Sequence, residues 1–244
     1  MLWYLWLIIG IVLAGLVIWV ASPMRIPREP DREGSQEGDA LPAYDRVSRG
    51  IMFKIERNIM MRELKKFPIP GSLMDIGCGP GYLAAYISRG YTGLRVIGLD
   101  ISPEMLRIAQ NNWPPDSYSN IEYITGDVEQ LPVMDNAVDC VVSSVSLHHW
   151  LDAPKAFGEI NRILKPGGRF IIFDLRRDSS RLFYFGLALG QLLSPRPIRV
   201  TNGAVGSFWA SFTPAESRMI VSKLPLRVIH IKREFGWMII TGSK

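Results

Sequence analysis

Leu73 to Gly81 read Leu-Met-Asp-Ile-Gly-Cys-Gly-Pro-Gly, and this stretch decides the fold. A short apolar run ends near the acidic residue Asp75, three glycines follow at alternate positions, and a sequence typical of a helix begins at Tyr82. Glycine permits a positive φ and lets a ligand approach the backbone closely. A strand, a glycine turn and a helix in this order predict the carboxyl edge of a parallel sheet, the usual crevice for a nucleotide-like ligand.

The spacing of Gly77, Gly79 and Gly81 argues against a dinucleotide. The dinucleotide fingerprint is G-x-G-x-x-G, whereas this chain has G-x-G-x-G and carries Tyr82 where the third dinucleotide glycine would stand. A carboxylate at Asp75 would repel phosphates and attract a cation. The turn therefore predicts a ligand other than a pyrophosphate, and a plain glycine turn of an α/β protein is the alternative.

Further strands follow at regular intervals. Val96 to Asp100 reads as a buried strand that ends in an acid. That acid lies about 20 residues past the glycines, where a carboxylate can accept both ribose hydroxyls. Ser102-Pro103 then predicts the start of a helix, since serine is a good N-cap and proline is favoured at the first helical position. Three more strands are expected over 121–128, 138–143 and 170–174.

In order and spacing, these segments resemble the class I S-adenosylmethionine-dependent methyltransferases, within the type 11 or quinone-methyltransferase-like branch. The resemblance covers residues 44–244. It implies a Rossmann-like α/β fold whose seven-stranded, mostly parallel sheet carries helices on both faces, with the last strand inserted antiparallel. It also implies an enzyme that uses S-adenosylmethionine as its cofactor.

The resemblance implies a set of cofactor-binding residues at the ends of the first four strands. Asp75 and the glycine backbone would face the amino-acid part of the cofactor, Asp100 the ribose, and Asp127 the adenine. Two serines would lie beneath the methionine portion. The full set is Asp75, Gly77, Gly79, Gly81, Asp100, Ile101, Asp127, Val128, Ser143 and Ser144.

Two adjacent histidines, His148 and His149, follow the fourth predicted strand, next to the expected position of the methyl group. Histidine titrates near neutrality and is a plausible base. Both are therefore candidate catalytic residues, although neighbouring side chains on an extended segment point opposite ways. A loop or helix-capping histidine is the alternative. Quinone-methylating members typically carry Arg-Asn here, which puts a quinone acceptor in doubt.

The N-terminal residues 1–21 are predicted to be a transmembrane anchor. Leu2 to Ala21 contains no charge, and about 20 apolar residues suffice to cross a bilayer. A secretory signal would need a positive start and a shorter apolar core. Arg25, Arg28 and Arg32 follow directly, so the positive-inside rule predicts a single-pass protein with its domain in the cytoplasm.

Residues 22–43 are rich in Pro, Gly and charged residues and are predicted to be a flexible linker. Residues 44–244 are predicted to be one domain. Asp45 is expected to begin a helix over 46–66, whose apolar stripe of Val47, Ile51, Ile55 and Ile59 would pack over the pocket.

The cysteines and the net charge limit which cofactors and partners the chain is expected to bind. The two cysteines, Cys78 and Cys140, fall in the glycine turn and in a predicted buried strand, so neither a disulfide nor a metal site is expected. The net charge is +5, with opposite charges interspersed. This is too weak to predict nucleic-acid binding, and attraction to an anionic leaflet is a sufficient explanation.

The segment Leu182–Leu193 is a run of twelve mostly apolar residues after the fifth strand, flanked by Arg176, Arg177, Arg181, Arg196 and Arg199. It is too short to span a bilayer. It is either a core helix or an interfacial helix or substrate lid. The sequence thus predicts a membrane-anchored methyltransferase acting on a lipid-soluble, quinone-like or other lipid acceptor. The alternatives are a soluble small-molecule or protein acceptor, or a cofactor-binding protein without turnover.

Overall fold

The computed structural model describes residues 2–30, 38–114 and 116–244, and for residues 2–5, 7 and 228 it describes only the backbone. At its centre lies a seven-stranded sheet in the order β3-β2-β1-β4-β5-β7-β6. All pairings are parallel except those of β7, which runs antiparallel to both β5 and β6. The predicted Rossmann-like, mostly parallel sheet with its antiparallel last strand is confirmed.

The strands begin and end within a few residues of the predicted runs, except that β5 begins at Leu164, six residues before the run expected over 170–174. They are β1 (Ser72–Ile76), β2 (Arg95–Asp100), β3 (Ile121–Thr125), β4 (Val138–Ser144), β5 (Leu164–Leu175), β6 (Arg227–Arg233) and β7 (Trp237–Ser243).

Helices connect these strands and flank the sheet. The helices are α1 (Leu2–Ala21), α2 (Ala40–Ser48), α3 (Ile51–Leu64), α4 (Tyr82–Gly90), α5 (Pro103–Asn112), α6 (Ala153–Ile163), α7 (Arg181–Leu192), α8 (Arg196–Val200), α9 (Gly203–Ala210) and α10 (Pro214–Val221). A short 3-10 helix covers Leu147–His149.

The sheet buries apolar side chains on both faces, as parallel sheets do. On one face Met74 of β1 joins Phe157 and Ile160 of α6. On the other face Leu73 joins Met60 of α3 and Ile87 of α4. Every residue of β1 is buried. The chemistry at the end of this strand is therefore held by a rigid support.

The segment before β1 differs from the single helix predicted over 46–66. It forms α2 and α3, which are separated at Gly50, a residue with extended backbone (ψ 168°) and poor helix propensity. Ile51 and Ile55 of the predicted apolar stripe are exposed. The buried face of α3 carries Glu56 and Arg57 beside apolar residues that include Ile59, so the predicted stripe is wrong for Ile51 and Ile55 and confirmed for Ile59.

The segment after α1 is bound to the domain where a flexible linker over 22–43 was predicted. The Met24 amide donates to the Ser179 carbonyl at 2.9 Å, and the Glu29 amide donates to the Trp209 carbonyl at 3.0 Å. Arg28 donates from Nε to the Ala210 carbonyl at 2.7 Å and lies 3.8 Å from the Phe212 ring centroid. Residues 31–37, including Arg32, lie outside the described residues. The linker prediction is therefore wrong for residues 22–30.

Helix α1 covers the segment predicted to be a transmembrane anchor. Within the part of the chain that the structure describes, no helix is both long and apolar enough to cross a membrane. The predicted single-pass anchor is not supported by this finding.

Candidate active site

A cavity opens at the carboxyl edge of the sheet, beside the ends of β1 and β4, where the strand order changes direction. This is the switch point at which open α/β sheets bind their ligands. The glycine turn forms its floor, and α2 and α3 cover it. Its lining includes Tyr44, Ser48, Phe53, Glu56, Arg57, Asp75, Gly77, Cys78, Gly79, Pro80, Tyr82, Leu83 and Ser144.

The glycine turn requires its glycines. Gly77, Gly79 and Gly81 have φ values of 68°, 53° and 80°, a region that other residues rarely adopt. A Cβ atom on Gly77 would lie 2.2 Å from the Ser146 hydroxyl, and one on Gly81 would lie 2.6 Å from the Tyr123 hydroxyl. The turn is therefore tightly packed behind Gly77 and Gly81, while Gly77 and Gly79 line the cavity without a side chain.

Asp75 is the penultimate residue of β1, beneath this turn, and is 1% exposed. Its Oδ2 atom has no hydrogen-bond partner among the described residues. Burial, followed by the negative charges of Glu56 and Asp100, raises the pKa of the Asp75 carboxyl well above its usual range. A buried carboxylate without a partner is costly. A cation or a hydrogen-bond donor in the cavity would relieve that cost.

Asp100 ends β2 and connects the glycine turn to the next helix. Its Oδ2 accepts from the Gly79 amide at 2.8 Å, and its Oδ1 accepts from the Ser102 amide at 2.9 Å. Burial raises the pKa of Asp100, against the lowering effect of these backbone donors. Each carboxylate oxygen can accept a second hydrogen bond, so the residue can hold the turn and still bind a ligand hydroxyl.

Glu56 and Arg57 reach the cavity from α3, and neither was singled out from the sequence. Glu56 is buried, and its Oε1 accepts from the Ser144 hydroxyl at 2.6 Å. Burial raises its pKa to about 7, against the lowering effects of Ser144 and Arg57. The available signal was its position: Glu56 precedes the buried Met60 by four residues and so lies on the same helix face.

Asp45 fixes the side chain of Tyr82, which lines the cavity. Its Oδ1 accepts from the Tyr82 hydroxyl at 3.0 Å and from Asn112 Nδ2 at 2.8 Å, while its Oδ2 accepts from Arg49 at 2.6 Å. Tyr44, the neighbouring residue, lines the cavity itself. In similar methyltransferases an aromatic–acid pair such as Tyr44-Asp45 borders the site; here Asp45 does not line the cavity but fixes the ring of Tyr82, which does.

Comparison with known proteins explains this arrangement. Residues 74–172, from β1 into β5, match the family model described as Methyltransferase domain. These residues are similar to a methyltransferase domain, and they make up less than half of the chain. The predicted resemblance to methyltransferases of the type 11 class is confirmed for these residues.

Two relatives are similar to this chain over more than half of its length. Malonyl-[acyl-carrier protein] O-methyltransferase of Pectobacterium atrosepticum is 35% identical over 146 residues, which cover 59% of this chain and 52% of that protein. Demethylmenaquinone methyltransferase of Thermus thermophilus is 30% identical over 138 residues, covering 56% and 62%. The chain thus spans between half and two thirds of the length of these relatives.

The fold has solved counterparts. The structure of an S-adenosyl-L-methionine-dependent methyltransferase described as putative, from Methanococcus maripaludis, superposes with a TM-score of 0.65 at 23% identity. The match covers 91% of this chain and 96% of that one. It extends the fold likeness well beyond the methyltransferase domain match at residues 74–172.

The other predicted cofactor residues are not among those that line the cavity: they are Gly81, Asp100, Ile101, Asp127, Val128 and Ser143. Ser143 is fully buried, and its hydroxyl donates to the Ile76 carbonyl at 2.8 Å, so it joins β4 to β1. Ile101 is 70% exposed beyond the end of β2. After β3, Asp127 is exposed and its Oδ1 accepts from the Glu129 amide at 2.8 Å, while Val128 is buried.

The two histidines after β4 have different surroundings. His148 is 1% exposed, and its Nδ1 lies 2.8 Å from Asp174 Oδ1 at the end of β5. The same carboxylate accepts from the His148 amide at 2.8 Å. His149 is exposed, and its ring lies tilted by 43° against that of His148, with centroids 4.1 Å apart. The catalytic role of both remains a prediction.

Proposed function

We propose that this chain transfers a methyl group from S-adenosylmethionine to an acceptor. The observation that carries the proposal is the buried carboxylate of Asp75, with Oδ2 unpaired among the described residues, beside a glycine turn at the switch point of the sheet. The site has acidic groups and a bare backbone where a cationic, phosphate-free nucleoside would lie. The S-adenosylmethionine-dependent name of the similar Methanococcus protein supports the same cofactor.

The residues of the site fit this cofactor in three places. Asp75 would accept from its ammonium group, Asp100 from its ribose hydroxyls, and Asp127 with the Val128 amide would face the adenine. Ser143 and Ser144 would lie beneath the methionine portion, together with the Gly77, Gly79 and Gly81 backbone, and Ile101 would flank the ribose. These assignments follow the family pattern residue by residue at the ends of β1 to β4.

Methyl transfer requires little from the protein beyond the alignment of cofactor and acceptor. When bound, the sulfonium supplies an activated methyl group and leaves as a neutral thioether while the acceptor forms the new bond. The chain contributes proximity and orientation, which account for a large share of rate enhancement in such displacements. A base is needed only where the acceptor atom carries a proton. We propose His149 or His148 for that role.

Calorimetry on the full chain in detergent tests the cofactor assignment. S-adenosylmethionine and S-adenosylhomocysteine are expected to bind, and NAD is not, because Tyr82 stands where a dinucleotide site needs glycine. Binding of NAD with no binding of S-adenosylmethionine would contradict the proposal. Binding without methyl transfer to any cell extract would favour a cofactor-binding protein without turnover.

We also propose that α1 inserts in a membrane and that the acceptor is a lipid. The side chains of α1 from Ile8 to Trp19 are apolar or glycine, and the large ones are mostly exposed, as with Ile18 at 69%. Exposed apolar area of this extent marks a protein or membrane contact. With Arg25 exposed just after it, the domain would lie on the cytoplasmic side.

Helix α7 extends this apolar surface. Its residue Phe185 packs on Trp19 with ring centroids 6.4 Å apart, and Arg181 lies 4.9 Å from the Trp19 ring. Only Phe183 of α7 is buried, whereas Leu189 and Leu192 are exposed. The alternative of a core helix is therefore wrong for this segment.

Some of the arginines that flank α7 are exposed beside this apolar surface, and others are paired within the domain. Arg196 and Arg199 are exposed next to α7. Arg177, in contrast, is buried in an ion pair with Glu216, and Arg176 pairs with Asp178 at 2.9 Å. A surface of exposed leucines with flanking arginines is typical of helices that lie at a lipid headgroup plane. A domain held there would encounter lipid-soluble acceptors. The name of the similar Thermus protein, demethylmenaquinone methyltransferase, favours the same class of acceptor.

Fractionation tests the location. The full chain is expected to stay in membranes after alkaline carbonate, and a chain lacking residues 1–21 is expected to be released, since residues 22–30 belong to the domain. Leu189→Asp with Leu192→Asp should lower binding of that shortened chain to vesicles of phosphatidylcholine and phosphatidylserine. Met134→Asp, a change at an exposed apolar residue elsewhere, is the matched control. Release of the full chain by carbonate would contradict insertion.

A transfer assay tests the acceptor. Washed membranes are expected to release S-adenosylhomocysteine on addition of enzyme and cofactor, while membrane-free extract is not. Mass spectrometry should then find a methylated lipid. Turnover with membrane-free extract alone would identify a soluble acceptor, such as a small molecule or a carrier protein, and would contradict the lipid assignment.

A further inference from the structure

Two carboxylates from different elements meet in the cavity, although the family pattern accounts for only one of them. Asp75 belongs to the end of β1 and Glu56 to α3, and both are more than nine-tenths buried. Both line the same cavity. Two carboxylates that are buried close together repel each other, so one of them holds a proton unless a positive charge compensates for the pair.

The contacts around Glu56 and Asp75 leave the compensating positive charge to be supplied by a ligand. Its Oε1 is held by the Ser144 hydroxyl at 2.6 Å, which fixes the side chain toward the end of β4. Arg57, the adjacent cation, donates from its guanidinium to the Ser48 carbonyl at 3.0 Å and lies 5.3 Å from the Tyr82 ring. On the other side, Asp75 Oδ2 is buried without a hydrogen-bond partner among the described residues.

We propose that Glu56 is a second carboxylate that binds the α-ammonium group of the cofactor together with Asp75, with Arg57 placed for the α-carboxylate. The inference rests on the proposed function. An amino-acid zwitterion needs both signs of charge in one pocket, and this cavity presents two carboxylates and one guanidinium at the covered end of the glycine turn. Helix α3 therefore contributes to cofactor selection.

The charges around Glu56 determine how this contact depends on pH. The titratable groups that face it or its partner Asp75 come from five elements and the glycine turn: Arg57 on α3, Tyr44 on α2, Asp75 on β1, Cys78 in the turn, Asp100 on β2 and Tyr82 on α4. Because burial raises the pKa of Glu56 to about 7, the ionised form that binds ammonium is lost below neutrality.

Paired ligands test the proposal on the full chain. S-adenosylhomocysteine carries the amino-acid end, and 5′-methylthioadenosine lacks it. Glu56→Gln is expected to lower the affinity for S-adenosylhomocysteine by about 10- to 100-fold, the effect of losing one charge-assisted hydrogen bond. The affinity for methylthioadenosine should be unchanged. Glu63→Gln, a change on the same helix at a residue paired with Lys66, is the matched control and should bind both ligands as the wild type does.

A pH series supplies a second readout. Between about pH 8 and about pH 6, wild-type affinity for S-adenosylhomocysteine should fall by about tenfold, and Glu56→Gln should remove most of this dependence. Equal weakening of both ligands, or unchanged affinity in Glu56→Gln, would overturn the inference and leave the proposed function standing. Failure of the wild type to bind either ligand would overturn both.

Discussion

Replacing Asp100 by alanine is expected to weaken cofactor binding by about 2 to 3 kcal/mol, a loss of about 30- to 150-fold in affinity. The carboxylate would lose its hydrogen bonds to the ribose hydroxyls. It would also lose the bonds it accepts from the Gly79 and Ser102 amides, so the glycine turn that forms the floor of the site would be less rigid. Both losses act on the same ligand.

Calorimetry with S-adenosylhomocysteine measures this effect, and thermal melts confirm that the variant is folded. Asp127→Ala should cost less, about 1 to 2 kcal/mol, since it removes one contact to a neutral donor. Glu104→Ala, a change at an exposed carboxylate on α5 paired with Arg107, should have no effect. Wild-type affinity in Asp100→Ala would show that the ribose lies elsewhere.

The difference between Asp100 and Asp127 follows from their environments. Asp100 is half-buried and accepts from the backbone amides of Gly79 and Ser102, whereas Asp127 is exposed and bonds only within its own turn in the described contacts. A residue that both supports the turn and faces the ligand loses two functions on substitution. The larger loss at Asp100 is therefore expected from the contacts of the two carboxylates within the protein.

The sheet and the glycine turn could be predicted because their signals are local. A buried parallel strand requires an unbroken apolar run, and a turn with three positive φ values requires glycine at fixed positions. Leu73 to Gly81 satisfies both requirements in nine residues. Asp75 and Asp100 could be placed for the same reason, since each directly ends such a run.

The lid of the site could not be predicted because its signals are tertiary. Glu56 and Arg57 read as ordinary charged residues of an amphipathic helix, and the periodicity of Ile51, Ile55 and Ile59 favoured a different face. Burial of Glu56 depends on Ser144, which lies 88 positions away. A charge of this kind on a buried face is a local conflict with the fold, and such conflicts concentrate at functional sites.

Residues 22–30 illustrate the same limit. Their composition is typical of a linker, but backbone donors and acceptors on α9 and on the segment after β5 hold them in place. Arg28, interpreted from sequence as a charge facing the membrane surface, instead donates to the carbonyls of Ala210 and His148. Composition predicts how much apolar area a segment can bury, and it does not predict hydrogen bonds to a neighbouring surface.

Replacing His148 by alanine is expected to lower the free energy of unfolding by about 3 kcal/mol, as removal of one partner of a buried, charge-assisted pair does. Asp174 is 1% exposed, so its carboxylate would lose its side-chain donor in a place that water does not reach. Only the backbone amides of His148 and Leu175 would remain among its described donors. Chemical denaturation measures the change.

His149→Ala is the matched control, one residue away on the same 3-10 helix. Its ring is exposed, and substitution of exposed residues usually changes stability by less than about 0.5 kcal/mol. Transfer assays well below both melting temperatures then separate the roles. A stable but inactive His149→Ala would identify His149 as the base, because its ring can reach an acceptor from solvent. If His148→Ala were as stable as His149→Ala and inactive, the pair with Asp174 would serve catalysis, and the structural role argued from its burial would be wrong.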